Sequence, residues 1–182
     1  MVVVVTDTSG SMREHGKAML ARNLIACVRE QRRLGDGRWR LGEPVIVLWG
    51  TEATVADLAP DQDLPLFSVA NRALLQPLLA LLGSLLSKDE ILRVLLLSDG
   101  HLPSTDVSAF KAWRRDKPGV SVRALAIGPD AVPATLAKMA DRGGVFPPDE
   151  VVGALASWTL QQDPTLPTRV GDLADAAARS RR

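Results

Sequence analysis

Val2-Val3-Val4-Val5-Thr6-Asp7-Thr8-Ser9-Gly10-Ser11-Met12 is the stretch whose reading decides the fold. Four consecutive β-branched residues are too few for a buried helix and suit a strand covered on both faces, as in a parallel α/β sheet. The polar run that follows sets one carboxylate, Asp7, and two hydroxyls, Ser9 and Ser11, at alternate positions of a tight loop, with Gly10 relaxing the backbone between them. Such a loop aims three oxygens at one spot. A hard divalent cation such as Mg²⁺ takes oxygen ligands in octahedral geometry, so these three form part of a site and the rest must come from elsewhere in the chain.

Working outward, Ile91 to Leu97 predicts a second buried strand, polar only at Arg93, that ends in Ser98-Asp99-Gly100. In a doubly wound sheet ligands collect at the carboxyl ends of the strands, which places Asp99 beside the first loop. Two aspartates brought together there would repel without a cation between them, so the expectation is a site that is loose until a metal fills it.

Between and after these strands the chain alternates helix and strand. Arg13 to Arg33 predicts a helix with Met19, Leu20, Leu24, Ile25, Cys27 and Val28 inward, ended by Gly35-Asp36-Gly37. Pro44 to Trp49 predicts a strand, and Ala53 to Leu58 an antiparallel edge reached through a turn at Gly50-Thr51-Glu52. A Leu-rich helix runs to Leu86, with Pro77 either kinking it or standing in the first turn of a new helix. Further on come a helix over Val107 to Arg115, a strand over Val120 to Gly128 and a short helix over Pro133 to Arg142. A last strand over Gly144 to Phe146 and a closing helix over Pro148 to Leu160, with Val151, Val152, Leu155 and Trp158 inward, complete the pattern. The fold class is therefore α/β, a doubly wound, Rossmann-like, mostly parallel central sheet with one antiparallel edge strand and helices on both faces. Residues 1–160 make this domain. Residues 161–182, with three helix-breaking positions at Pro164, Pro167 and Gly171, are expected to be a flexible tail or a partner-docking arm.

Composition narrows the function. A chain of 182 residues, 46% hydrophobic and with a net charge of +1, has the material for one core and no charge excess that would favour nucleic acid or an anionic membrane. Arg29, Arg32, Arg33, Arg38 and Arg40 cluster at one helix end and are expected to form a solvated face. The single cysteine, Cys27, excludes a disulfide framework and a thiolate metal site. No charged leader precedes the first apolar run, and Ala73 to Leu86 is too short and too interrupted to span a bilayer. The expectation is a cytoplasmic protein.

Rival chemistries lose on residue type. Gly10 to Ala18 has the outline of a phosphate-binding loop, but five residues separate Gly10 from Gly16 and alanine follows Lys17 where a hydroxyl would hold Mg²⁺. An aspartyl-nucleophile phosphatase would place a second aspartate where Ser9 stands. Ser98-Asp99-Gly100-His101 has the letters of a hydrolytic triad without a nucleophile elbow. A metal-dependent phosphohydrolase and a scaffold subunit that binds through its tail stay as alternatives.

Asp7-x-Ser9-x-Ser11 after the first strand, with Ser98-Asp99-Gly100 after a Leu-rich strand, resembles the von Willebrand factor type A domain in motif, order and separation, over about Met1 to Leu160. The resemblance implies a metal-ion-dependent adhesion site (MIDAS). Its metal ligands would be Asp7, Ser9, Ser11 and Asp99, with a further hydroxyl from Ser68, at which this chain has Leu66-Phe67 in place of the family's two glycines. Ser68 as a helix N-cap is the other reading of that residue. Met12 and His101 would lie on a partner-binding rim. With neutral hydroxyls innermost and aspartates acting through water, the cation, Mg²⁺ or Mn²⁺, stays electrophilic and accepts an Asp or Glu from a partner protein. The resemblance thus implies a non-enzymatic protein-binding module. Prokaryotic intracellular members work with ATPases, kinases or other components of stress-response or defence assemblies.

Overall fold

The structure, a computed structural model, describes residues 1–34, 42–59, 62, 72–86 and 91–160. Ser68, Arg38, Arg40 and the segment 161–182 lie outside the described residues. The elements are β1 (Val2–Asp7), α1 (Lys17–Leu34), β2 (Val45–Trp49), β3 (Ala53–Val55), α2 (Leu75–Leu85), β4 (Leu92–Ser98), α3 (Ser104–Arg115), β5 (Val120–Ala126), α4 (Pro133–Leu136), β6 (Val145–Phe146) and α5 (Val151–Leu160).

The valine run forms β1, all six of its residues buried, because both of its faces are covered. Side chains of a strand alternate between faces, so Val3 and Val5 pack with Leu75, Leu78, Leu82, Val107 and Phe110 from α2 and α3. Val2 and Val4 pack with Ala21, Leu24, Ile25, Leu155 and Trp158 from α1 and α5. One strand therefore seeds two cores.

The strands form a six-stranded sheet in the order β3-β2-β1-β4-β5-β6. All pairs are parallel except β2 with β3 at one edge, where Val47, Leu48 and Trp49 face Val55, Thr54 and Ala53. Sequence order reverses between β1 and β4, and the carboxyl ends of these neighbours form the crevice where such sheets bind ligands.

Several element ends differ from the sequence-based expectation. The first helix starts at Lys17, because Gly10–Arg13 forms a separate 3₁₀ turn after β1. Pro77 stands in the first turn of α2, which begins at Leu75; there the missing N–H has no intrahelical partner to lose. Met19 and Val152 are exposed rather than inward, being on the solvent side of α1 and α5. Cys27 packs half-buried against the α1 core, and Arg29, expected to be solvated, donates to the carbonyls of Ala59 and Gln62 at 2.6 and 2.5 Å. Among the described residues no helix is long and apolar enough to cross a membrane.

Candidate metal centre

Asp7 is the last residue of β1 and is fully buried at the switch point. Its Oδ1 accepts the backbone N–H of Ser9 at 2.8 Å, the local bond of an aspartate that turns the chain two residues on. Its Oδ2 accepts the Ser98 hydroxyl at 2.7 Å, which ties the ends of β1 and β4 together. The Ser9 and Ser11 hydroxyls are 3.2 Å apart and part-buried. Thr8 faces the other way and anchors the loop, its N–H and its hydroxyl both reaching the Trp49 carbonyl, at 2.8 and 3.0 Å. Burial raises the Asp7 carboxyl above the ordinary carboxylate value; the Ser98 and Ser9 hydrogen bonds offset part of that rise and the nearby Asp99 charge adds to it.

Asp99 follows β4 and is also fully buried. Its Oδ1 accepts the His101 N–H at 3.1 Å and its Oδ2 accepts the Lys17 ammonium at 2.8 Å. Gly100 turns the backbone here at φ +79°, and a Cβ on it would stand 2.7 Å from the Val132 carbonyl, so only glycine fits. Lys17 comes from the first turn of α1, and its ammonium also donates to Asp130 Oδ2 at 2.7 Å and to the Ser11 carbonyl at 3.2 Å. Burial alone would lower the ammonium, but the hydrogen bonds it donates to Asp130 and Asp99 outweigh that and leave Lys17 above the ordinary lysine value. Asp130 is held below the ordinary carboxylate value, chiefly by the hydrogen bond from Lys17.

The structure thus brings together Asp7, Ser9, Ser11 and Asp99 at the carboxyl ends of β1 and β4. His101 sits at the rim with its Nε2 3.1 Å from the Asp130 carbonyl oxygen. Met12 does not belong to a partner-facing rim: it is fully buried and packs into the α1 core, because the 3₁₀ turn directs it inward. The expected repulsion between the two aspartates is offset in part by the protein itself: Lys17 pairs with Asp99, while the Asp99 charge still adds to the rise of Asp7.

Lys17 and Asp130 escaped the sequence reading. A signal for Lys17 was present, since it falls on the stripe of Ala21, Leu24, Ile25 and Val28, the buried face of α1 at helical spacing. A lysine on that stripe needs a buried anion. Asp130 follows Gly128-Pro129 beyond the end of β5, one strand over from β4, where a carboxylate also falls on the ligand-binding side of the sheet. Both of the chain's histidines converge on it: His101 Nε2 lies 3.4 Å from Asp130 Oδ2, and Glu14, His15 and Asp130 offer ligand atoms within 4.8 Å of one another.

The donor set suits a hard divalent cation. Asp7, Ser9 and Ser11 present only oxygens, and each Asp7 oxygen, though it already accepts one hydrogen bond, keeps a second lone pair for a metal-bound water. Asp99 is the departure, because an ammonium already neutralises it.

No protein-family model and no curated protein matches the chain. Solved structures do. A von Willebrand factor type A protein from Catenulispora acidiphila aligns with TM-score 0.60 and 20% identity over 87% of this chain and 41% of its own. Proximal thread matrix protein 1 from the mussel byssus, with a zinc-occupied MIDAS motif, aligns with TM-score 0.57 and 15% identity over 85% of this chain and 46% of its own. The chain spans less than half the length of these structures. Strand order, the single antiparallel edge and these alignments agree that the chain has the fold of the von Willebrand factor type A domain.

Proposed function

We propose that this domain is a divalent-cation-dependent protein-binding module. Asp7, Ser9 and Ser11 hold Mg²⁺ or Mn²⁺, Asp99 supports the site from β4, and an Asp or Glu of a partner protein completes the shell. The observation that carries the reading is the pair of serine hydroxyls, 3.2 Å apart, beside the buried Asp7 at the switch point of the sheet. Neutral hydroxyls leave most of the cation's charge unmatched, so an outside carboxylate is attracted. A binding role fits better than hydrolysis because the hydroxyls at the site meet one another and Asp7, and His101 is turned to Asp130, so no hydroxyl meets a histidine that would activate it. Ser68 supplies a further hydroxyl, and a prokaryotic cytoplasmic assembly with an ATPase or kinase is the setting that the resemblance implies.

Isothermal titration with Mg²⁺ and Mn²⁺ tests the first half: wild type binds and Asp7→Ala does not. Co-purification from the native source with and without chelator tests the second. A partner retained equally in chelator and by Asp7→Ala overturns the reading, as would Mg²⁺-dependent phosphate release from phosphomonoesters that Asp7→Ala abolishes.

A further inference from the structure

Lys17 is the most unusual residue of the site. Its side chain has no exposure, and an ammonium taken out of water is tolerated only where anions and hydrogen bonds replace its hydration. All three of its N–H groups are used, by Asp99 Oδ2, Asp130 Oδ2 and the Ser11 carbonyl. The surroundings are shaped to its stem: a Cβ on Gly128 would stand 2.6 Å from Lys17 Cε and 3.0 Å from Cγ. The two carboxylates differ in access, since the Asp99 side chain is fully buried whereas that of Asp130 is 38% exposed.

We propose that Lys17 is a tethered cation that competes with a divalent ion for Asp99, and that Asp130 is the carboxylate that retains its ammonium when the divalent ion wins. The inference rests on the proposed metal site and adds its control. One Asp99 oxygen cannot serve both the ammonium and a shell of metal-bound water at full strength, because two cations drawn to one carboxylate repel each other. Asp130 makes the exchange feasible. Its Oδ2 is already 2.7 Å from the ammonium, so Lys17 needs only to release Asp99 and Ser11 while keeping one anion. The device weakens the site and restricts tight occupancy to conditions in which a partner carboxylate adds its own attraction for the metal.

The test is titration of Mn²⁺ into wild type, Lys17→Met, Asp130→Asn and the double variant, followed by calorimetry and by thermal midpoint in Mn²⁺ and in chelator. Lys17→Met is expected to bind Mn²⁺ about tenfold tighter or more, the scale on which one adjacent charge acts. Its midpoint should depend more steeply on Mn²⁺ than that of wild type. Asp130→Asn, a change at a part-exposed position, is expected to bind more weakly. In the Lys17→Met background most of that loss should vanish, since Asp130 then has no ammonium to hold. An unchanged or weaker affinity in Lys17→Met, or an equal Asp130→Asn loss in both backgrounds, overturns the competition; if Asp7→Ala still abolishes binding, the metal site itself stands. Should Lys17→Met not fold, an Asp130→Asn affinity equal to or above wild type overturns it by itself. No Mn²⁺ uptake by any of the proteins overturns both proposals.

Discussion

Thr6 stands between the valine run and Asp7, and its hydroxyl is buried without a hydrogen-bond partner among the described residues. A buried unsatisfied polar atom costs stability, and valine has nearly the same branched shape without that atom. Thr6→Val is therefore expected to raise stability by about 1 kcal/mol, read from the midpoint of urea unfolding at unchanged slope; a loss would show that the hydroxyl has a partner. At this scale the site residues were legible wherever a polar side chain directly follows an apolar strand, as Asp7 follows Val5-Thr6 and Asp99 follows Leu97-Ser98. Met12 was not, because a methionine after the serines reads equally as a rim or as core. Its burial depends on the 3₁₀ turn over Gly10–Arg13, which directs the side chain toward α1.

The elements are clamped together at a second polar cluster, centred on Asp141 in the loop between α4 and β6. Asp141 accepts Arg114 of α3, and from β5 it accepts the Ser121 hydroxyl, the Val122 N–H and the Arg123 guanidinium, these three at 2.5, 3.1 and 2.5 Å. Arg123 is 2% exposed in a strand of apolar neighbours and reaches Ser157 of α5 at 2.7 Å. Removing its carboxylate leaves a buried guanidinium undercompensated. Asp141→Ala is expected to cost about 3 kcal/mol in denaturant unfolding; a change no larger than that of an ordinary surface substitution would show that Arg123 needs no anion. Periodicity identified β5 as a strand despite the arginine, and the antiparallel edge was read from alternation alone. Element ends were less legible. Where α1 starts depends on hydrogen bonds to a preceding turn, and the edge strand runs only to Val55, although the next N–H, that of Ala56, still reaches the Ile46 carbonyl of β2 at 2.8 Å.

For the whole molecule, the charge balance at the carboxyl end of the sheet decides how the fold depends on metal. The sequence suggested a site that stays loose until a cation fills it. Because Lys17 neutralises Asp99 from within, the domain is expected to unfold cooperatively in chelator, and Mn²⁺ adds stability by linkage alone. An ion that binds only the folded chain contributes about 2.7 kcal/mol at a hundredfold excess over Kd. The wild-type thermal midpoint should therefore climb with the logarithm of Mn²⁺ concentration and that of Asp7→Ala should stay flat; a wild type already unfolded in chelator contradicts this. What the sequence by itself determined is the alternation of buried strands and amphipathic helices, and with it the mostly parallel sheet and the placing of Asp7 and Asp99 each at the carboxyl end of a buried strand. These follow from local periodicity, which a linear chain displays directly. Only the tertiary structure decided which charges meet across the crevice. Lys17 lies 82 residues from Asp99 and 113 from Asp130, and their contact depends on how α1 and the β5–α4 loop pack over the strand ends, a geometry that no local pattern encodes.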